Sequence, residues 1–304
     1  MAECPQDATL RHSVSKAVVA AYVACALIWG TTWFAIRVCI GEGAYPTLAA
    51  AALRFVIASL VLLPIALRSR PWPRGSAWAY LVLAGVLDAA AYSLVYVGEE
   101  SVPGGLAAVV YGTQPLILAL LLQVFRIEKL SKRHLVGAVI SLAGVAVLFL
   151  DRLDVSPQQA LGIALIVGSV LLATSYSMVM KRQSTGGLIA TTVFLGVTAV
   201  VLSVVALIAN EPIPWPPPLR PTLALLYLAV VGSVIAFLLY FWLLDRTSLV
   251  VTSTLVFVFP LVALLTDALY EREIALGARA YIGAAITLGG LGVTLMRSGH
   301  ARTR

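Results

Sequence analysis

Residues 81–94 read LVLAGVLDAAAYSL, and residues 226–239 read LYLAVVGSVIAFLL. A shift of 145 residues lays Leu81, Leu83, Ala84, Val86, Ala91 and Leu94 on Leu226, Leu228, Ala229, Val231, Ala236 and Leu239. Continued without a gap, the same shift puts Pro115 on Pro260 and Glu128 on Glu273. One inserted residue later, Arg133, Gly137, Ala138, Ile140, Leu142 and Gly144 fall on Arg279, Gly283, Ala284, Ile286, Leu288 and Gly290. Identities are sparse, but a proline, an acid and glycines keep one register through segments of equal hydropathy. Such internal symmetry marks a chain built from two copies of one unit, as in repeat-built transporters.

The composition says where those copies sit. Apolar residues make up 61% of the 304 and charged residues only 12%, about half the usual charged share of a globular chain. That surplus cannot be hidden from water, so the chain belongs in a bilayer. The net charge of +7 does not point to nucleic acid, because the basic residues stand in short clusters between apolar runs, where they orient helices. The polar stretch up to Lys16 lacks the pattern of a cleaved signal peptide. Cys4, Cys25 and Cys39 have no metal-ligand spacing, and neither a metal nor a cofactor is expected.

Ten apolar runs can be cut, near 18–38, 46–67, 76–98, 102–124, 133–150, 159–181, 188–209, 221–243, 247–270 and 276–296. Each has the length a helix needs to cross hydrocarbon. The expectation is an all-α membrane protein of ten transmembrane helices, five plus five. Its parts are a segment 1–17, a first repeat 18–150, a second repeat 159–296 and a basic tail 297–304. Five is odd, so the second copy must enter the membrane inverted. With both termini cytoplasmic, inner segments carry fifteen Lys and Arg and outer segments five, as the positive-inside rule asks.

Charge inside the runs is rare and therefore informative. Arg54 and Asp88 fall at matching depth on consecutive antiparallel helices, roughly 12–15 Å below the outer surface at 1.5 Å per residue. A lone Arg or Asp near mid-membrane costs about 2.5–3.5 kcal/mol. The two are expected to face the interior and interact, directly or through water, in transport or as a structural pair. Arg54 has no equal in the second copy, where Val197-Thr198-Ala199 stands.

The first helix carries Trp29, Gly30, Thr31, Thr32, Trp33 and Arg37. Gly30 permits close approach or a hinge, Trp29 and Thr32 are candidates for the cavity, and Trp33 with Arg37 suits a headgroup anchor. Pro115 and Pro260 break the fourth and ninth helices in register, a pairing suited to break points flanking a central site. Tyr111 and Gln114 line the first break with polar groups, while Phe257 and its neighbours make the second apolar. Tyr92, Tyr96, Tyr176, Phe237 and Tyr240 complete an amphipathic lining, suited to a zwitterionic or amphiphilic solute. Gly137, Gly144, Gly283 and Gly290 predict close packing of the fifth and tenth helices, against each other or a second subunit.

In its Trp29-Gly30 pair, Leu53-Arg54-Phe55, the two prolines, and Glu128-Lys129-Leu130 with the glycines and their echo, the chain resembles the drug/metabolite transporter superfamily, in its EamA-type ten-helix form. The resemblance spans about residues 18–296. It implies secondary transport across the bacterial inner membrane, commonly efflux of amino acids or related metabolites through a cavity between the halves. The partners expected are a small solute, the bilayer and protons as a candidate coupling ion, for a monomer or homodimer. A proton-coupled exporter of drugs or cationic compounds is the alternative, and would show as Asp88 facing away from Arg54. A scaffold or sensor would add a soluble domain, and an enzyme or ATP-driven pump would need a phosphate loop, nucleophile elbow or nucleotide domain that the sequence lacks.

Overall fold

The computed structural model describes residues 15–125, 132–149, 156–183, 187–270 and 278–295. Every long element in them is a helix. In hydrocarbon no water satisfies the backbone, so each apolar run must bond within itself. The first half holds α1 (Lys16–Ile40), α2 (Thr47–Arg68), α3 (Ser76–Glu99), α4 (Gly104–Tyr111), α5 (Gln114–Val124) and α6 (Lys132–Phe149). The second holds α7 (Pro157–Gln183), α8 (Leu188–Ile208), α9 (Leu219–Ala229), a π-helical turn Val230–Ile235, and α10 (Ala236–Arg246). It ends with α11 (Leu249–Ser253), a 3₁₀ turn Thr254–Phe257, α12 (Phe259–Tyr270) and α13 (Ala278–Leu295).

Among the described residues, seven helical units are long and apolar enough to cross a bilayer, and shorter apolar stretches follow at Leu249–Ala263 and Ile282–Thr294. Large apolar side chains such as Leu60, Leu67, Val124, Leu207 and Ile208 stand exposed on the outside of the bundle, where acyl chains would cover them. Inside, small residues bring helices together: Ala49 to Ala52 of α2 are all buried.

Packing follows the repeat. Taking α7 as the counterpart of α1, α8 of α2, α9–α10 of α3, α11–α12 of α4–α5 and α13 of α6, the pairings come in matched sets. Helix α3 packs on α7 as α1 packs on α9 and α10, while α2 meets α8 and α6 meets α13. The last pair shows the direction. A Cβ at Gly137 would run into Thr294, and one at Gly144 into Thr287, so α6 and α13 are counterparts packed antiparallel. Gly137, Gly144 and Gly290 thus serve contact between the two helices, and the Ser141 hydroxyl adds a bond to Thr287 O at 3.0 Å.

The expected breaks are present, and displaced. The fourth run parts at Gly112–Thr113, so Pro115 sits in the first turn of α5, where a missing N–H costs least. Pro260 likewise follows the first residue of α12, just after the 3₁₀ turn. Helix α1 passes through Gly30 unbroken, and there Val262 of α12 occupies the space a side chain would need. The π turn in the eighth run was not foreseen, since Val230-Val-Gly-Ser-Val-Ile reads as plain apolar helix. Glu128, Glu273, the connection beginning at Ser184, the segment before Ser15 and the basic tail lie outside the described residues.

Candidate functional site

A cavity lies at the seam of the two halves, lined by residues of both. Its wall draws on α1, α2, α3, α4 and α5 from one copy and on α7, α10 and the α11–α12 unit from the other.

Arg54 is 1% exposed and Asp88 fully buried, and both line this space. They do not hydrogen-bond to each other. The Arg54 Nε–H donates to the Ser233 hydroxyl at 2.8 Å, Nη1 to Tyr96 at 3.4 Å, and Nη2 to Tyr92 at 3.3 Å and to Gly232 O at 3.1 Å. The guanidinium also lies 4.8 Å from the Tyr92 ring centre, a cation–π contact. Asp88 Oδ2 accepts from the Thr198 hydroxyl at 3.0 Å. Its Oδ1 is buried with no hydrogen-bond partner among the described residues. The two groups remain within electrostatic reach, so the expected direct pair is replaced by two separately tethered groups.

Those tethers mirror one another. Ser233 is the residue the 145-residue shift lays on Asp88, and Thr198 stands one position from the residue laid on Arg54. Each charge of the first copy is therefore held by a hydroxyl from the second. The π turn makes one of these bonds available. A π turn loosens the regular backbone ladder, and Gly232 O accepts from both Arg54 and the Trp29 indole N–H, the latter at 3.2 Å. That is the partner a deep indole requires.

Aromatic rings fill the rest. Trp29 stands 5.0 Å from Tyr240 and 6.0 Å from Phe259 between ring centres, and Trp33 5.1 Å from Tyr111. The phenols are fixed by hydroxyls of α7, Tyr111 to Ser169 at 2.6 Å and Tyr240 to Ser177 at 2.9 Å. Of the residues singled out from sequence, Trp29, Thr32, Arg54, Asp88, Tyr92, Tyr111, Gln114, Tyr176 and Tyr240 line the cavity.

Three others do not. Tyr96 backs the wall through Arg54, Phe237 packs behind it on Phe55, Phe194 and Phe241, and Phe257 is buried in the 3₁₀ turn. Sequence reasoning missed Trp33, Ile36, Val95, Thr252 and Leu255 as lining residues, while Val256 and Phe259 beside Phe257 do line it. Trp33, expected at the headgroups, is buried. Its spacing from Trp29 and Ile36 on α1 was the available signal.

An EamA-like transporter family model matches residues 16–150 and again 160–296. The chain belongs to the EamA-like transporter family. It is a multi-pass membrane transporter of small solutes, not an enzyme. Among similar EamA proteins, the inner membrane transporter YedA of Escherichia coli is 33% identical over 86% of this chain and 88% of its own. Protein PecM of Dickeya dadantii is 30% identical, covering 85% of each chain. A "Probable terminal-alkyne amino-acid exporter" of Streptantibioticus cattleyicolor is 26% identical over 91% of this chain and 93% of its own. A crystal structure with 23% identity superposes with a TM-score of 0.72 over 91% of this chain and 96% of that one, a likeness of fold.

Proposed function

We propose that this chain is a secondary exporter of small amphipathic metabolites, amino acids foremost, in the bacterial inner membrane. Ten helices cross the bilayer as an inverted five-plus-five repeat with both termini cytoplasmic, and transport proceeds by alternating access as the halves rock about the central cavity. The carrying observation is the cavity at the seam, where the Arg54 guanidinium and the Asp88 carboxyl group are each held in an aromatic wall. Supporting it are the antiparallel counterparts α6 and α13, the excess of basic residues in the inner segments and the amino-acid exporter among its relatives.

A second reading, proton-coupled efflux of cationic compounds, is favoured by one feature: Asp88 is not bonded to Arg54 and keeps a bare Oδ1. In both readings that oxygen receives the ammonium group of the solute, with aromatic faces beside it. They part over the carboxylate, which only the first asks Arg54 to attract.

Flux in proteoliposomes separates them. L-phenylalanine should cross at a higher rate than phenethylamine, which lacks the carboxylate. Preference for the amine selects the second reading, and transport of neither removes both.

A further inference from the structure

A second carboxyl group on α3 has no part in the cavity. Glu99 is 6% exposed, and neither of its carboxylate oxygens has a hydrogen-bond partner among the described residues. An ionised carboxylate left so is among the most costly buried groups. It stands eleven residues beyond Asp88, close to three full turns, and therefore on the same face about 16 Å further along the helix. Between them Tyr92 and Tyr96 continue the face, their hydroxyls accepting from Arg54. The column Asp88, Tyr92, Tyr96, Glu99 thus runs from the cavity to the end of the bundle where α1 and α3 finish.

The surroundings of Glu99 are polar and incompletely bonded. Arg37 of α1 and Arg54 of α2 are within its electrostatic reach, and so is Tyr111 of α4. Trp33, whose ring meets Tyr111, holds a buried indole N–H without a partner among the described residues. Helix α7, which touches α3 where Gly162 meets Gly98, brings Gln159 with a buried and equally unpartnered Oε1. The neighbouring Glu100 is exposed. Bare donors and acceptors on the helices packed around this end of α3 are what a hydration or proton site requires.

We propose that Glu99 is a proton-binding site of the transport cycle, placed at the outer end of the column that leads to Asp88. A proton from outer water binds the carboxylate and takes its charge from −1 to zero. It leaves again along the Tyr96–Tyr92 face toward the cavity as the solute moves the other way. This rests on the exporter reading given above.

The test uses the full chain in liposomes, with L-phenylalanine as solute and, separately, infrared difference spectroscopy with no solute present. The wild type should show C=O bands of protonated carboxyls that appear as the bath is acidified; Glu99→Gln should remove one of them, and Asp88→Asn should leave that one in place. Glu99→Gln should also lower flux driven by a pH gradient at least tenfold, change exchange at equal pH by less than twofold, and be rescued by Glu99→Asp. A set of titrating bands that is complete in Glu99→Gln overturns the proposal. So does gradient-driven flux equal to wild type. Failure of the wild type to move any solute while the band behaves as expected would instead remove the exporter reading and leave the proton site standing.

Discussion

Helix α3 and its counterpart α9–π–α10 occupy equivalent places in the two halves, yet they handle polarity in opposite ways. In α3 the backbone stays regular and the side chain Asp88 supplies the polar group. In the counterpart the side chain at the matching place is only Ser233, and the backbone opens into a π turn that offers Gly232 O. The same asymmetry runs through the helices that meet them, Arg54 on α2 against Thr198 on α8. Duplication kept the path of the chain while both charge-bearing side chains of the cavity wall, Arg54 and Asp88, stand in the first copy. A carrier can thus have near-symmetric halves for rocking and an asymmetric site that orients its solute.

Substitutions at four positions sharpen this contrast. Arg54→Ala removes the donor of four hydrogen bonds. Bonds to a charged group are worth about 1.5–3 kcal/mol each, so proteoliposome flux should fall roughly 100-fold or more, and Arg54→Lys should recover little because an ammonium cannot make the fork. Asp88→Asn keeps the shape and loses the titrating group. Its flux should no longer vary with pH, where wild-type flux changes by up to about tenfold per pH unit in the steep range. Persistent pH dependence in that variant would take Asp88 out of coupling. Thr198→Val deletes the one hydrogen bond Asp88 accepts among the described residues, and solute affinity by calorimetry should weaken about fivefold for roughly 1 kcal/mol. Ser233→Ala should cost less, about twofold, because Arg54 keeps three other contacts. A larger loss at Ser233 than at Thr198 would reverse the assignment of which half holds its charge more firmly.

Much of this could be read from the sequence because a bilayer leaves so little freedom. Every crossing must be apolar and helical, so the repeat, the apolar runs and the paired breaks at Pro115 and Pro260 stand out. Arg54 and Asp88 stand out for the same reason, as the charges no lipid-facing helix would keep. What escaped was set by contacts between helices. Periodicity gives a face, and a face does not say which neighbour it meets. Tyr96 and Phe237 were therefore grouped with Tyr92 though they lie behind the wall. Trp33 was assigned to the headgroups though it turns toward Tyr111. The π turn leaves no mark in an apolar run. Glu99, at the last residue of α3, reads as an ordinary polar helix end until its burial is seen.

The most direct test of the central claim is solvent access to Thr32→Cys, a cavity position on α1, in a chain whose native cysteines are replaced by serine. The account predicts labelling by a membrane-impermeant thiol reagent from either side, in right-side-out and inside-out vesicles, with saturating solute protecting the position in both. Labelling from one side only, whatever solute is present, would contradict it.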